Sequence, residues 1–93
     1  MPEPIAIRVL TNQGLAVSGE AVSIVAPGSL GYLGILRNHA PLVTATQPGT
    51  LSWRTPAGES KAVSIGDGLL EISHSTLTIL TDVVTPPPGG AHA

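Results

Sequence analysis

The stretch AVSIVAPGSLGYLGIL, residues 21–36, decides the fold that the sequence predicts. In its first part, one face of the chain carries Val22, Ile24 and Ala26. Ser23 lies on the other face, and this alternation is typical of a half-buried β-strand. Pro27-Gly28 interrupts the strand because proline cannot donate a ladder hydrogen bond, and GYLGIL follows as a second short strand. This part of the chain is therefore predicted to be β-structure.

The same signals continue in both directions from this stretch. In IAIRVL, residues 5–10, Ile5, Ile7 and Val9 share one face and Arg8 lies on the other. Further strand segments are predicted at LVTATQ (42–47), TLSWRT (50–55), KAVSIG (61–66), LLEIS (69–73) and TLTILTDVV (76–84). The 11 glycines and nine prolines leave little room for a long helix. About eight or nine short strands, roughly 8–10 residues apart, predict an all-β sandwich or barrel.

Composition excludes several classes of function. The chain has no cysteine, so it has neither a disulfide nor a thiolate nucleophile. Its four basic residues are scattered, which is too few for a nucleic-acid backbone that needs clustered contacts. Tyr32 and Trp53 are the only aromatic residues, too few for a stacking platform, and Trp53 is predicted to pack in or against the sheet. No apolar run reaches the roughly 18–20 residues of a membrane span.

The histidines offer little chemistry. His39, in GILRNHAPLVTATQPG, has neither an acid nor a nucleophile beside it in the sequence, and Arg37 would repel an imidazolium. His39, His74 and His92 show no short metal-ligand spacing. We therefore predict that His39 fixes a turn before Pro41, and we predict no catalytic residue, no cofactor and no metal site. The glycines of PGSLGYLG lack the pattern of a phosphate-binding loop.

Leu30, Tyr32 and Arg37 lie on what reads as an exposed connection. One interpretation is ordinary hydrophobic cover for the end of a sandwich. The other is a contact with a partner, since tyrosine and arginine are enriched at interfaces. With 42% hydrophobic and 11% charged residues, a surface that a partner covers is plausible on composition, and both interpretations stay open at this point.

The last residues differ from the rest. From Thr85 the chain reads TPPPGGAHA, in which three prolines cannot donate ladder hydrogen bonds. We predict a β-sandwich domain over residues 1–84 and a flexible Pro/Gly-rich tail over residues 85–93.

Taken together, these segments resemble the N-terminal domain of the epsilon subunit of F-type ATP synthases, from about residue 5 to residue 84. The resemblance rests on the order of five motifs, each weak alone. They are Gly28-x-x-Gly31-x-Leu33-Gly34-Ile35, His39-Ala40-Pro41-Leu42, Pro48-Gly49, Asp67-Gly68 with Glu71-Ile72, and Ile79-Leu80-Thr81-Asp82. The resemblance implies a ten-stranded, flattened β-sandwich that acts as a non-catalytic rotor subunit in the central stalk.

The resemblance also implies partners. One side of the sandwich would hold the gamma subunit through Thr11, His39, Leu42 and Thr44, and one end would rest on the c-ring through Leu30, Tyr32 and Arg37. The complex would place the chain on the cytoplasmic face of a bacterial inner membrane, peripheral and not inserted. Relatives often carry acidic residues where Leu30 and Tyr32 stand, so an apolar or stacked c-ring contact is expected here.

Two further expectations complete the interpretation. The two C-terminal helices of the family, which sense ATP and inhibit hydrolysis in relatives, have no counterpart in this sequence, so assembly and coupling are expected without inhibition. The rival functions are a β-sandwich module that binds a ligand or carbohydrate, and a small hydrolase. An aromatic platform would favour the first rival, and turnover of an ester or phosphate the second.

Overall fold

A computed structural model describes residues 3–86, and this part of the chain contains ten β-strands and no helix. In chain order the strands are β1 (Ile5–Thr11), β2 (Gly14–Ala21), β3 (Ser23–Gly28), β4 (Gly31–Leu36), β5 (Leu42–Thr46), β6 (Gly49–Arg54), β7 (Ser60–Ile65), β8 (Gly68–Ser73), β9 (Thr76–Thr81) and β10 (Val84–Thr85). Among the described residues there is thus no helix that could span a bilayer.

The strands form one folded sheet with two halves. One half runs β5-β8-β9-β1-β2, and the other runs β10-β7-β6-β3 with β4 on the free side of β3. Neighbours are antiparallel except β9 and β1, which are parallel. The pair Gly28 and Thr46 joins the halves, and the sheet folds over at this point into a sandwich. The predicted all-β sandwich is confirmed.

Alternation along the strands builds the core. Ile5, Ile7 and Val9 are buried while Arg8 is exposed, as predicted. Trp53 is only 8% exposed and lies opposite Ile24, which confirms that it packs within the sandwich. The other buried apolar residues are Ala21, Ala26, Ile35, Leu51, Ile65, Leu70, Ile72, Leu77 and Ile79.

Two buried threonines fix the connection between β7 and β8. The Thr46 hydroxyl donates to the Gly66 carbonyl at 3.0 Å, and Gly66 N–H donates to the Thr81 hydroxyl at 3.0 Å. The Thr81 hydroxyl donates in turn to the Asp67 carbonyl at 3.2 Å. The connection through residues 66–68 is therefore held by side chains from β5 and β9.

The strand β2 is not among those that alternation predicts. It is an edge strand, bonded to β1 only, and most of its residues are exposed. A register shift between Val9 and Leu10 also disturbs the ladder, so the sequence of β2 has no clear apolar face. The residue that marks its start in the sequence is Gly14, the first residue of β2, whose φ of 112° favours glycine.

The β8–β9 hairpin turns at His74-Ser75. Both residues have positive φ, 52° and 60°, which is the backbone of a type I′ turn. At the other end of the chain, Thr85 still pairs with Ser64, so β10 extends one residue past the predicted domain boundary. The rest of the predicted flexible tail falls mostly outside the described residues.

Candidate functional site

A row of apolar side chains crosses the outer face of the first half-sheet. The register places Ala45 opposite Leu69, Leu69 opposite Leu80, Leu80 opposite Leu10, and Leu10 opposite Leu15. We call these five residues the leucine row. Leu15, Leu69 and Leu80 are each close to half exposed. Because strands lie about 4.8 Å apart, the row is about 19 Å long.

Polar groups border the leucine row. The next row on the same face runs through Val43, Glu71, Thr78, Arg8 and Ser18. At the opposite border, Thr11, Asp67 and Asp82 line a shallow groove of about 360 Å³ that Leu10 and Leu80 also enter. An apolar centre with a polar rim is the usual anatomy of a protein–protein interface.

Sequence reasoning missed the leucine row, although a signal for it exists. Val9-Leu10, Leu69-Leu70 and Ile79-Leu80 are consecutive apolar pairs in strands that otherwise alternate. In each pair one residue is buried in the core and the other lies on the outer face. Consecutive apolar residues in a strand are typical of a sheet that is buried on both faces, here by the core on one side and by a partner on the other.

The second candidate surface is the β3–β4 turn, residues 28–32, which we call the tip. Hydrogen bonds hold the tip and the residue before it against the end of β5 and the residue that follows β5. Ser29 N–H donates to the Ala45 carbonyl at 2.9 Å, and Gln47 N–H donates to the Pro27 carbonyl at 3.0 Å. The Gln47 side-chain amide also donates to the Gly28 carbonyl at 2.9 Å. Leu30, at the apex, is 100% exposed. The tip therefore presents one apolar side chain on a fixed backbone.

Tyr32 is partly engaged in its own sheet. Its hydroxyl accepts a hydrogen bond from Thr50 N–H at 3.1 Å. A Cβ at Gly49 would lie 2.7 Å from that hydroxyl and 2.8 Å from the Pro27 Cβ. Tyr32 thus reaches across β3 towards the start of β6 while it stays 58% exposed, and Leu30 is the fully exposed apolar side chain of the tip.

The structure does not bring Arg37 together with Leu30 and Tyr32. Arg37 follows the far end of β4, which at about 3.3 Å per residue is roughly 20 Å along the strand from the tip. The single exposed connection suggested by the sequence is instead two connections at opposite ends of β4. Arg37 belongs with His39 in the β4–β5 turn.

His39 lies exposed in that turn. His39 N–H donates to the Leu36 carbonyl at 3.1 Å, and its Nδ1 lies 2.6 Å from the Ala40 carbonyl oxygen. Asn38, just before it, has φ of 68°. The side chain thus contacts its own turn just before Pro41, as its predicted structural role requires.

The remaining predicted gamma contacts are spread over the half-sheet. Leu42 and Thr44 lie on the inner side of β5, opposite the buried Ile72 and Leu70. Leu42 packs against the core, and Thr44 is half-buried. Thr11, by contrast, lies beside the leucine row in its groove. Of the four residues, Thr11 is the one that the structure places next to the large exposed apolar surface.

The described residues can also be searched for a metal site and for an aromatic sugar-binding platform. Within residues 3–86, no group of three or more histidine, cysteine or acidic side chains could hold a metal ion. Trp53 and Tyr32 do not form a sugar-binding platform together, because Trp53 is in the core and the Tyr32 hydroxyl is hydrogen-bonded to Thr50 of β6. The arrangement fits binding to proteins better than binding to a small ligand.

Comparisons with known proteins agree with this fold. Residues 4–87 match the family described as the ATP synthase delta/epsilon chain β-sandwich domain. The chain belongs to this family. The ATP synthase epsilon chain of Laribacter hongkongensis is 38% identical over 78 residues, 83% of this chain and 56% of that protein. The epsilon chain of Rhodopseudomonas palustris is 40% identical over 80 residues, 86% of this chain and 58% of the relative. The chain thus spans little more than half the length of these delta/epsilon relatives.

Solved structures share the delta/epsilon fold. A chain in the mitochondrial ATP synthase of Euglena gracilis, in an OSCP/F1/c-ring assembly, superposes with a TM-score of 0.83 at 19% identity, over 92% of this chain and 55% of that one. A chain in the central stalk and c-ring of the Tetrahymena thermophila enzyme gives 0.71 at 16% identity, over 88% of this chain and 66% of that one. At such identities the likeness shows the fold alone.

Proposed function

We propose that this chain is a non-catalytic subunit of the central stalk of an F-type ATP synthase, where it links the gamma subunit to the c-ring. It would help to couple ion translocation to ATP synthesis. The observation that carries the proposal is the presence, in a member of the delta/epsilon family, of two separate apolar surfaces on one continuously hydrogen-bonded sheet. A subunit that transmits torque must bind two partners firmly and must be rigid between the two binding surfaces.

The leucine row is the surface that we assign to the gamma subunit. It is broad, apolar at its centre and polar at both borders, as a permanent subunit contact should be. Leu15, Leu69 and Leu80 are already about half buried, so complete burial by a partner would contribute roughly half of the 1.5–3 kcal/mol that a fully exposed leucine gains. Thr11, which lines the groove, would lie at the rim of this contact. From β5, the exposed Val43 and Ala45 would contact gamma, instead of the inward-facing Leu42 and Thr44.

The tip is the surface that we assign to the c-ring. Leu30 projects fully into solvent from a turn held by three hydrogen bonds to residues 45 and 47. No charged residue occurs between Glu20 and Arg37, so the contact would be apolar rather than ionic. Because Arg37 and His39 lie at the other end of β4, we do not place them at the ring contact. In this arrangement the chain is peripheral to the membrane, on the cytoplasmic face in a bacterium.

Rigidity between the two surfaces supports a coupling role. The end of β5 touches both surfaces, because Ala45 belongs to the leucine row and its carbonyl also accepts the hydrogen bond from Ser29 at the tip. The neighbouring Thr46 pairs with both Gly28 and Gly68. A force on the tip would therefore pass to the leucine row through paired backbone, without a flexible linker.

The test is assembly with the gamma subunit and c-ring encoded by the same organism. We expect the chain to co-purify with both. Leu80→Asp should abolish retention by gamma, because a charge would be buried at the centre of the row. Leu30→Asp should release the c-ring while gamma stays bound. Neither change should shift the melting temperature by more than a few degrees, since both side chains are exposed.

Ala57→Asp is the matched control. Ala57 is exposed in the β6–β7 turn, away from both surfaces, so an added carboxylate there should leave both attachments intact. A wild-type chain that stays monomeric beside its matched gamma subunit would overturn the proposal. Equal loss of both partners in the Leu30 and Leu80 variants would overturn the assignment of the two surfaces.

A further inference from the structure

The Tyr32 side chain joins two strands that are not neighbours in the sheet. Tyr32 lies on β4, opposite Pro27 of β3, and its hydroxyl accepts a hydrogen bond from Thr50 N–H of β6 at 3.1 Å. The pairing of β6 with β3 stops at Ser52, and the Pro27 carbonyl accepts from Gln47 N–H instead. Tyr32 therefore supplies the acceptor that β3 does not offer to Thr50.

Gly49 leaves room for this contact. A Cβ at Gly49 would lie 2.7 Å from the Tyr32 hydroxyl oxygen and 2.8 Å from the Pro27 Cβ. Both distances are shorter than non-bonded contacts allow, so a larger residue at this position would displace the hydroxyl from Thr50. Gly49 does not have a positive φ, so the close approach of the phenol, not the backbone conformation, accounts for the glycine here.

Hydrogen bonds on both sides of Leu30 hold the tip. Before Leu30, bonds to residues 45 and 47 fix the outgoing limb of the turn against the end of β5. After Leu30, the bond between Tyr32 and Thr50 fixes the returning limb over β3. The turn itself contains Gly28 and Gly31, and glycine has the most backbone freedom of any residue. Loss of one set of bonds would therefore let the turn, and Leu30 with it, move relative to the sheet.

We propose that Tyr32 is a positioning residue for the c-ring contact, because its hydroxyl, bonded to Thr50 above Gly49, holds the tip in the orientation in which Leu30 meets the c-ring. This inference rests on the proposed function, since the c-ring contact is itself proposed. The alternative is that the phenol, which is 58% exposed, binds the c-ring directly. Positioning is favoured because the hydroxyl is already engaged within the chain when no partner is present.

The first measurement needs no partner. Tyr32→Phe removes the hydroxyl and keeps the aromatic ring, so the variant should fold. In the free chain, exchange of the Thr50 amide hydrogen should become about fivefold to tenfold faster in this variant, as expected for the loss of one hydrogen bond. The backbone order parameter of Leu30, measured by NMR relaxation, should fall. An unchanged order parameter at Leu30 would overturn the inference.

Thr55→Val is the matched control. The Thr55 hydroxyl also accepts one backbone hydrogen bond at 3.1 Å, from Glu59 N–H, in the connection between β6 and β7. Its removal should speed the exchange of the Glu59 amide hydrogen and leave the order parameter of Leu30 unchanged. An equal fall at Leu30 in both variants would mean that the tip responds to any small loss of stability, and it would overturn the specific role of Tyr32.

The second measurement uses the gamma subunit and the c-ring encoded by the same organism. The affinity of the chain for gamma alone is compared with its affinity for gamma bound to the c-ring, and the ratio of the two affinities gives the contribution of the c-ring. Tyr32→Phe should lower this ratio by about fivefold, the order of magnitude that one neutral hydrogen bond contributes, and it should leave the affinity for gamma alone unchanged. Thr55→Val should change neither affinity.

A double-mutant cycle separates positioning from direct contact. If Tyr32 acts through Leu30, Tyr32→Phe should lower the c-ring contribution in the wild-type chain and cost nothing further in a chain that already carries Leu30→Ala. If the Tyr32 hydroxyl binds the c-ring itself, the losses from the two substitutions should add. Additive losses would therefore overturn the inference.

The failure of this inference can be told apart from the failure of the proposed function. If Tyr32→Phe attaches to the c-ring as tightly as the wild-type chain does, the inference is overturned and the proposed function stands. If the wild-type chain binds gamma no more tightly with the c-ring than without it, the proposed c-ring contact fails. The inference then fails with it, even when Tyr32→Phe loosens the tip of the free chain.

Discussion

The leucine row and the tip are both exposed and apolar, but they are built differently. The leucine row collects one side chain from each of five strands, so its shape depends on the register of the whole half-sheet. The tip is two turn residues and their flanks, and its shape depends on local hydrogen bonds to β5. The first can offer a large buried area and the second only a small one. The large area of the leucine row suits a permanent subunit interface, whereas the single projecting leucine of the tip suits a small, localised contact.

The largest expected effect comes from disturbing the end of β5, which both surfaces share, through its partner Gly68 in β8. Gly68 pairs with Thr46 and Thr81, and a Cβ at Gly68 would overlap the Leu80 carbonyl oxygen. Gly68→Ala should therefore lower the free energy of unfolding by about 3 kcal/mol, because backbone must shift on β9. Urea denaturation measures this loss. Gly19→Ala, where the added Cβ meets nothing within 4 Å, is the matched control and should change stability little. Comparable losses at both positions would contradict the crowding argument.

The comparison also shows what sequence can reveal. Alternation within one strand is local, so the placement of Ile5, Ile7 and Val9 in the core follows from the order of residues alone. The leucine row depends on which residues lie opposite one another across five strands, and no local pattern contains that register. The edge strand β2, which completes the row through Leu15, escapes prediction because most of its residues are exposed and show no apolar alternation.

The candidate site was predictable in part. Leu30 is apolar and follows Pro27-Gly28, so its exposure on a turn could be foreseen from local signals. The structure places Arg37 apart from Leu30, because the length of β4 separates the two ends of the hairpin. The engagement of Tyr32 with Thr50 depends on the pairing of β3 with β6, which is again long-range.

A second prediction separates the centre of the leucine row from its edge. Leu80 occupies the middle strand, β9, and Leu15 the last strand, β2. Binding energy concentrates at the centre of an interface, so Leu80→Ala should weaken gamma binding by about 2 kcal/mol and Leu15→Ala by less than about 1 kcal/mol. Surface plasmon resonance with immobilised gamma subunit gives both values. A larger loss at Leu15 would mean that the contact is centred on β2 rather than on the row.

A third prediction concerns a region that belongs to neither surface. His74 and Ser75 adopt positive φ in a two-residue turn where Asn-Gly is favoured. Replacing the pair by Asn-Gly should raise the free energy of unfolding by about 1 kcal/mol, because the left-handed backbone costs asparagine and glycine less. Thermal unfolding measures the gain. Binding to gamma and to the c-ring should be unchanged, and an altered affinity would place this turn within a contact.

The smallest expected effect is the response of the tip to salt. Ionic contacts between exposed charges weaken as the Debye length falls from about 10 Å at 0.1 M salt to about 3 Å at 1 M. The tip has no charge to screen, so c-ring attachment should stay within about twofold over that range, and it should strengthen slightly in sulfate, which favours apolar burial. Strong salt dependence of c-ring attachment in the wild-type chain would indicate that the contact includes a charged part of the molecule. Arg37, at the opposite end of β4, would then be the residue to test.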